Sequence, residues 1–314
     1  MNRLYKAALR QLSLLAAITL SLATISCGSD GDDSNDGGNG SHTVVNKNAN
    51  TVTTDRAVLR LEFPALKTTG HQQLIVHRLS NSSFDKDGIN YCTEWDCDKK
   101  SQRWSCYQLH KGFTGNYSRV SDFSFDPALS PSYYWDEYKY FPGFDRGHIC
   151  PSADRTFSAE ANTQTFYMSN MQPQYHQFNG YDSNNPEYKG LWLRMEQLLQ
   201  KWGKNLSATD TIFVCKGGTI DNESQILKRI DGKLIVPKYF FMAVLRKTSF
   251  GYAAMAFWSD QTNTYRSDET LLSHCKSIDE LEALTGIDFF CNLPDDIESQ
   301  VEKTFNPSSW SDLR

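Results

Sequence analysis

The 314-residue chain carries no excess of positive charge, no internal repeat and no Cys-x-x-Cys pair. Its formal net charge is −5, so bulk electrostatics do not attract a polyanion and argue against a protein that must hold nucleic acid tightly. An enzyme that turns its substrate over escapes that objection, because a locally basic cleft suffices. The missing Cys-x-x-Cys spacing argues against a zinc site built from Cys92, Cys97 and Cys106. No long apolar run is present either: the apolar stretch Leu14 to Leu22 is too short to cross a bilayer.

That short stretch follows Arg3, Lys6 and Arg10, which is the layout of an export signal. It ends in Leu22-Ala23-Thr24-Ile25-Ser26-Cys27, where a small residue before a cysteine resembles a bacterial lipoprotein cleavage site, with Cys27 as the lipid-carrying residue. The expectation is a signal segment over 1–27 and a mature protein held to the cell envelope by its lipid alone. Residues 28–40 contain no apolar side chain and cannot bury anything, so 28–54 read as a flexible polar spacer. The acidic start of that spacer resembles the surface-export signals of bacterial lipoproteins, which points to the outer-membrane surface.

The remainder, 55–314, has the length of one large domain. Aromatics make up 13% of the chain, enough with its Val, Ile and Leu for a packed core. Ala57 to Phe63, Gln73 to His77, Ile212 to Lys216, Tyr239 to Leu245 and Gly251 to Phe257 are strand-length runs that suggest a central antiparallel sheet. Leu191, Trp192, Met195, Leu198, Leu199 and Trp202 recur at helical spacing, and Ile278 to Thr285 forms a second helix stopped by Gly286. The fold class is α+β, a central antiparallel sheet with flanking helices. Cys92, Cys97, Cys106, Cys150, Cys215, Cys275 and Cys291 remain after Cys27; in an exported protein they predict disulfides, with at least one thiol left over.

Three segments carry chemistry: Phe144-Asp145-Arg146-Gly147-His148, Ser169-Asn170-Met171-Gln172-Pro173-Gln174 and Phe178-Asn179. They supply a base, a cation and several amide oxygens, the groups needed to cut a phosphodiester with one hydrated metal ion. A neutral imidazole at His148 can take a proton from water, given an ordinary pKa of about 6.5. Gly147 lets the backbone pass close to a bound group. Phosphodiester hydrolysis also needs a cation where charge builds. Mg2+ keeps most of its waters and asks for one or two protein oxygens, which Asn179 can provide; Mn2+ or Ca2+ are possible substitutes. Glu196 lies at the edge of the apolar stripe of its helix, where a carboxylate needs a metal-bound water or a cationic partner.

Taken with Asp154, Thr165 to Gln174 and Trp192-Leu193-Arg194-Met195-Glu196, these segments resemble the DNA/RNA non-specific endonuclease family, with its ββα-metal, or His-Me finger, core. The resemblance is concentrated between Tyr140 and Trp202. It implies His148 as general base, Asn179 as the single protein ligand of a hydrated Mg2+, Glu196 as the carboxylate holding the metal's waters, Asn170 as an orienting residue, Arg146 as a phosphate-binding cation, DNA and RNA as substrates, and 5′-phosphate products. His148 should end the first region of the finger, and Asn179 should start its crossing helix.

Two departures stand out. Residues 181–189 separate the asparagine from the helix that follows it in the family, and they either delay the helix or shape substrate access. The family also places an arginine four residues before a tryptophan; Lys100 stands there, with Arg103 adjacent to Trp104, and both are expected to offer positive charge to substrate. These departures leave room for two other readings, a non-catalytic surface protein that binds nucleic acid, or a narrower phosphodiesterase acting on small diesters.

Overall fold

A computed structural model describes residues 45–314 apart from 54, 82 and 83. Eleven strands occur among the described residues, β1 (Gln72–Arg78), β2 (Ile89–Asp96), β3 (Ser101–His110), β4 (Asp145–His148), β5 (Met171–Gln174), β6 (Thr211–Gly218), β7 (Ile226–Ile230), β8 (Leu234–Pro237), β9 (Tyr239–Thr248), β10 (Gly251–Asp260) and β11 (Cys275–Lys276). Seven form one sheet in the order β1-β2-β3-β6-β9-β10-β11, antiparallel at every pairing, while β4 pairs with β5 and β7 with β8. The helices are α1 (Ala159–Gln164), α2 (His176–Asn179), α3 (Leu191–Lys204), α4 (Ile278–Thr285) and α5 (Asp295–Lys303).

The central sheet is buried on both faces, and strand alternation sorts its side chains into two cores. Phe240, Met242 and Val244 of β9 pack with Trp192, Met195, Leu199 and Trp202 of α3, whereas Phe241, Ala243 and Leu245 pack with Ile278 and Leu281 of α4. All six stripe residues anticipated for α3 are buried. The start and stop of α4 are set locally: Ser277 and Glu280 form a capping box, and Gly286 ends the helix at φ 68°.

Several expectations are corrected. Ala57 to Phe63 is not a strand; Arg56–Leu59 is a 3-10 turn capped by Asp55, which accepts from the Ala57 amide at 2.8 Å. The spacer does not run free to residue 54. Asn46 donates to the carbonyls of Cys291 and Leu293, and Asn50 to those of Val58 and Pro64, so 45–50 are fastened to the body. The seven described cysteines are all unbridged. Cys92, Cys106 and Cys215 stand in register across β2, β3 and β6 within one apolar core, where a thiol packs as a small hydrophobe. The signal segment and Cys27 lie outside the described residues.

Candidate active site

The two-stranded β4-β5 unit lies on the α3 side of the sheet, and its position is fixed by polar links. Gln172 of β5 donates to the Gln102 carbonyl at 3.0 Å and accepts from the Gly218 amide at 2.7 Å, joining the unit to β3 and β6. His148 ends β4, as expected, and its carbonyl accepts from Trp192 Nε1 of α3 at 3.2 Å.

His148 is buried, and its Nε2 has no hydrogen-bond partner among the described residues. Burial, followed by the charges of Arg119 and Lys216, pushes its pKa down to about 3, against a backbone hydrogen bond to Arg146 that acts upward. The ring is therefore neutral at ordinary pH with its Nε2 lone pair unspent. Its walls are aromatic, Phe166 meeting it edge-on at 4.8 Å and Phe123 lying at 6.0 Å.

Asn170 spends its side chain on the segment that follows His148. Its Oδ1 accepts from the Cys150 amide at 2.8 Å, and its Nδ2 donates to the carbonyls of Cys150 at 2.9 Å and Thr165 at 2.8 Å. The fully buried amide thereby pins the chain just beyond His148, its Oδ1 also accepting a long contact from the Ser105 hydroxyl at 3.5 Å. Arg146 lies over the Phe123 ring at 4.6 Å and donates to the Lys139 carbonyl at 2.8 Å, which leaves part of its fork unspent at the rim.

Asn179 is the last residue of the one-turn helix α2, not the first of the crossing helix, which is α3. Its Nδ2 donates to Asp145 Oδ2 at 3.0 Å, and the same oxygen meets His176 Nδ1 at 2.8 Å. This tether turns the amide so that Oδ1, which has no donor among the described residues, faces outward. A half-buried amide oxygen held in this way suits a hard cation that keeps most of its own waters, so the residues present fit a hydrated divalent metal. The intervening segment is looped out. Tyr181 bridges to Lys189, and the Gly190 amide donates to the Gly180 carbonyl at 2.8 Å, so α3 begins as though it followed Asn179 directly. Gly190 has to be glycine here, because a Cβ would lie 2.1 Å from the Phe178 carbonyl oxygen.

Glu196 has the cationic partner its helix position called for. The fully buried Lys216 of β6 donates to Glu196 Oε1 at 2.7 Å and rests 4.4 Å over the Trp192 ring. Burial raises the Glu196 pKa to about 7, offset by the Lys216 charge and hydrogen bond. Lys216 went unread as a site residue, although a lysine continuing the apolar run Ile212 to Cys215 has to find a buried partner. Arg119 was missed too: its guanidinium sits 5.1 Å over Phe166, and its charge acts on both His148 and Glu196. It lies in a polar stretch with no recognisable pattern, so sequence offered no signal for it.

The positive charge expected of Lys100 and Arg103 is committed elsewhere. Arg103 is buried, its guanidinium taken by Glu94 and by Asp221, the latter at 2.8 Å, and Lys100 lies 4.2 Å over Trp135. The anticipated approach of a ligand to Gly147 is also replaced, since the Gln174 side chain occupies the space its absent Cβ leaves.

The profile of the DNA/RNA non-specific endonuclease family matches residues 73–296. The chain belongs to that family. A nuclease of Nostoc sp. is 28% identical over 68% of this chain and 75% of its own length. The mitochondrial endonuclease G of Bos taurus is 26% identical over 71% of this chain and 75% of its own. The mitochondrial nuclease EXOG of Xenopus laevis is 26% identical, matched over 58% of its own length. Among solved structures, an EndoG/EndoGI complex contains a chain that superposes with a TM-score of 0.57 at 19% identity, covering 77% of this chain and 94% of that one; this supports the fold. Members of the family are metal-dependent nucleases, and this chain is an endonuclease of nucleic acids on that basis.

Proposed function

We propose that this chain is an exported, lipid-anchored nuclease that uses Mg2+ to hydrolyse DNA and RNA with little sequence preference, leaving 5′-phosphates. The observation that carries the reading is the neutral, buried and unpartnered Nε2 of His148, set beside Arg119 and the Lys216–Glu196 pair. His148 takes a proton from the attacking water, Arg119 and Arg146 hold phosphate oxygens, and Asn170 keeps the chain beyond His148 in place. Asn179 would hold a hydrated divalent metal, with Glu196 accepting from its waters, and the ion would supply Lewis acidity to the phosphodiester. Contacts to phosphate carry no sequence information, which fits an unspecific enzyme. Export and anchoring rest on the stretch from Arg3 to Cys27 and its polar sequel.

The test is degradation of plasmid DNA and ribosomal RNA with Mg2+ and with EDTA, followed by end-labelling of the products. Loss of both substrates only with Mg2+, and ends that accept label only after phosphatase treatment, are expected. A folded, metal-loaded protein that retards nucleic acid in a gel without cutting it would overturn the reading. Asn179→Ala is expected to shift the Mg2+ requirement upward by about tenfold or more, because an orienting oxygen ligand is lost; an unchanged Mg2+ titration would remove Asn179 as a ligand.

A further inference from the structure

On the face of the sheet opposite α3, α4 and α5 pack together over the second core and bring together a group of carboxylates that runs from the exposed Asp279 through the half-buried Glu282 to the buried Glu302. From α5, Glu298 and Glu302 stand one turn apart and are buried, 6% and 7% exposed, while the neighbouring Ile297 and Val301 pack on the core. Asp279 and Glu282 come from α4, and ligand oxygens of Asp279, Glu282 and Glu302 all lie within 4.8 Å of one another. Asp288 approaches from the loop between the helices. Asn48 donates to Asp288 Oδ2 at 3.2 Å and to Glu298 Oε1 at 2.8 Å, and Glu282 Oε1 accepts from the Phe289 amide at 2.7 Å.

Glu302 is different. Its Oε1 is fully buried and has no hydrogen-bond partner, and none of the five carboxylates joins an ion pair with a basic side chain among the described residues. A buried carboxylate oxygen without a donor costs desolvation energy that nothing in the protein returns, so a proton or a cation has to fill the space. Burial, then Glu282, Glu298, Asp288 and Asp279, push the Glu302 pKa up to about 9, and burial raises Glu282 to about 7.

We propose that Asp279, Glu282 and Glu302 form a calcium site that ties α4 to α5. The donors are hard oxygens supplied by the protein itself, whereas Mg2+ prefers to keep its waters. Three carboxylates converging on one point supply more protein oxygens than the one or two that Mg2+ takes alongside its waters, which suits the larger ion. The site is distinct from the one at Asn179, which lies across the sheet and presents an amide.

The experiment is thermal unfolding and calorimetric titration with CaCl2 at neutral pH, using the EDTA-stripped full chain, Glu302→Gln, Glu282→Gln and Asn179→Ala. Calcium at about a hundredfold above its dissociation constant is expected to raise the wild-type Tm by on the order of 5 °C. Asn179→Ala should keep that rise. Both glutamine variants should lose it and one binding equivalent, while retaining Mg2+-dependent nuclease activity because they leave the His148 region untouched; Glu302→Gln alone should match or exceed the stripped wild type in Tm. If either variant fails to fold, the other reads the same site. A rise that survives in Glu302→Gln or Glu282→Gln, no rise in the wild type, or an equal rise with MgCl2 would overturn the calcium assignment.

Discussion

His148→Ala is expected to lower the rate on plasmid DNA and on RNA at least about a hundredfold, the contribution of a positioned general base, while the circular dichroism of the fold is retained. The imidazole is held neutral by burial first, then by the charges of Arg119 and Lys216, with its pKa at about 3. Its loss to protonation should therefore not limit kcat/KM in the free enzyme between pH 5 and 8, where an ordinary histidine would titrate. Stability carries the same signature. The folded pKa is depressed below the unfolded one, so the unfolded chain takes up the proton first as pH falls below about 6.5, and the wild type loses stability progressively toward pH 3. His148→Ala lacks that loss, so the stability gap between the two proteins should narrow in acid. Near-normal turnover by the folded variant would remove His148 from its role, and a gap independent of pH would show that the ring is not held neutral.

What sequence made legible follows a physical division. Periodicity reports burial, so α3 and its stripe from Leu191 to Trp202 were readable, as were β9 and β10 from their β-forming runs. The Asp145 to His148 series was readable because consecutive residues share one strand. The cations around it were not, because they arrive through tertiary contacts. Arg119 comes from a loop to lie over Phe166, the ring beside His148, and Lys216 comes from β6, whose apolar run masks a buried charge. Arg103 misled for the complementary reason: an arginine beside a tryptophan looks available in sequence, and only the fold shows Glu94 and Asp221 already holding it. The strands β2 and β3 hid behind their cysteines, which suggested bridges where the sheet uses thiols as packing. The loop from Tyr181 to Lys189 was visible as an interruption, but the Gly190 to Gly180 hydrogen bond that closes its base is a tertiary detail no sequence pattern announces.

Lys216→Met is expected to cost about 1–3 kcal/mol of stability at neutral pH, since it keeps the stem's volume over Trp192 but leaves a buried Glu196 oxygen without its donor, protonation of the carboxyl sparing the larger cost of an unpaired charge. The activity should move with it in a way a packing defect would not reproduce. Glu196 titrates at about 7 even with the Lys216 charge and hydrogen bond opposing burial. Removing that opposition raises the pKa further, so at neutral pH the carboxyl becomes largely protonated and can no longer hold metal-bound water as an anion. Turnover at pH 7 should fall and recover in part toward pH 9, while the Mg2+ requirement at pH 7 rises. Lys216→Arg, which restores the charge, should return the profile toward neutral even if its bulk costs stability. Glu196→Gln serves as the control: neutral at every pH, it should show the lowered rate without the alkaline recovery. If Lys216→Met lost stability and rate equally at all pH values, the lysine would be a buried structural partner only, and the carboxylate's charge would not be what the reaction uses.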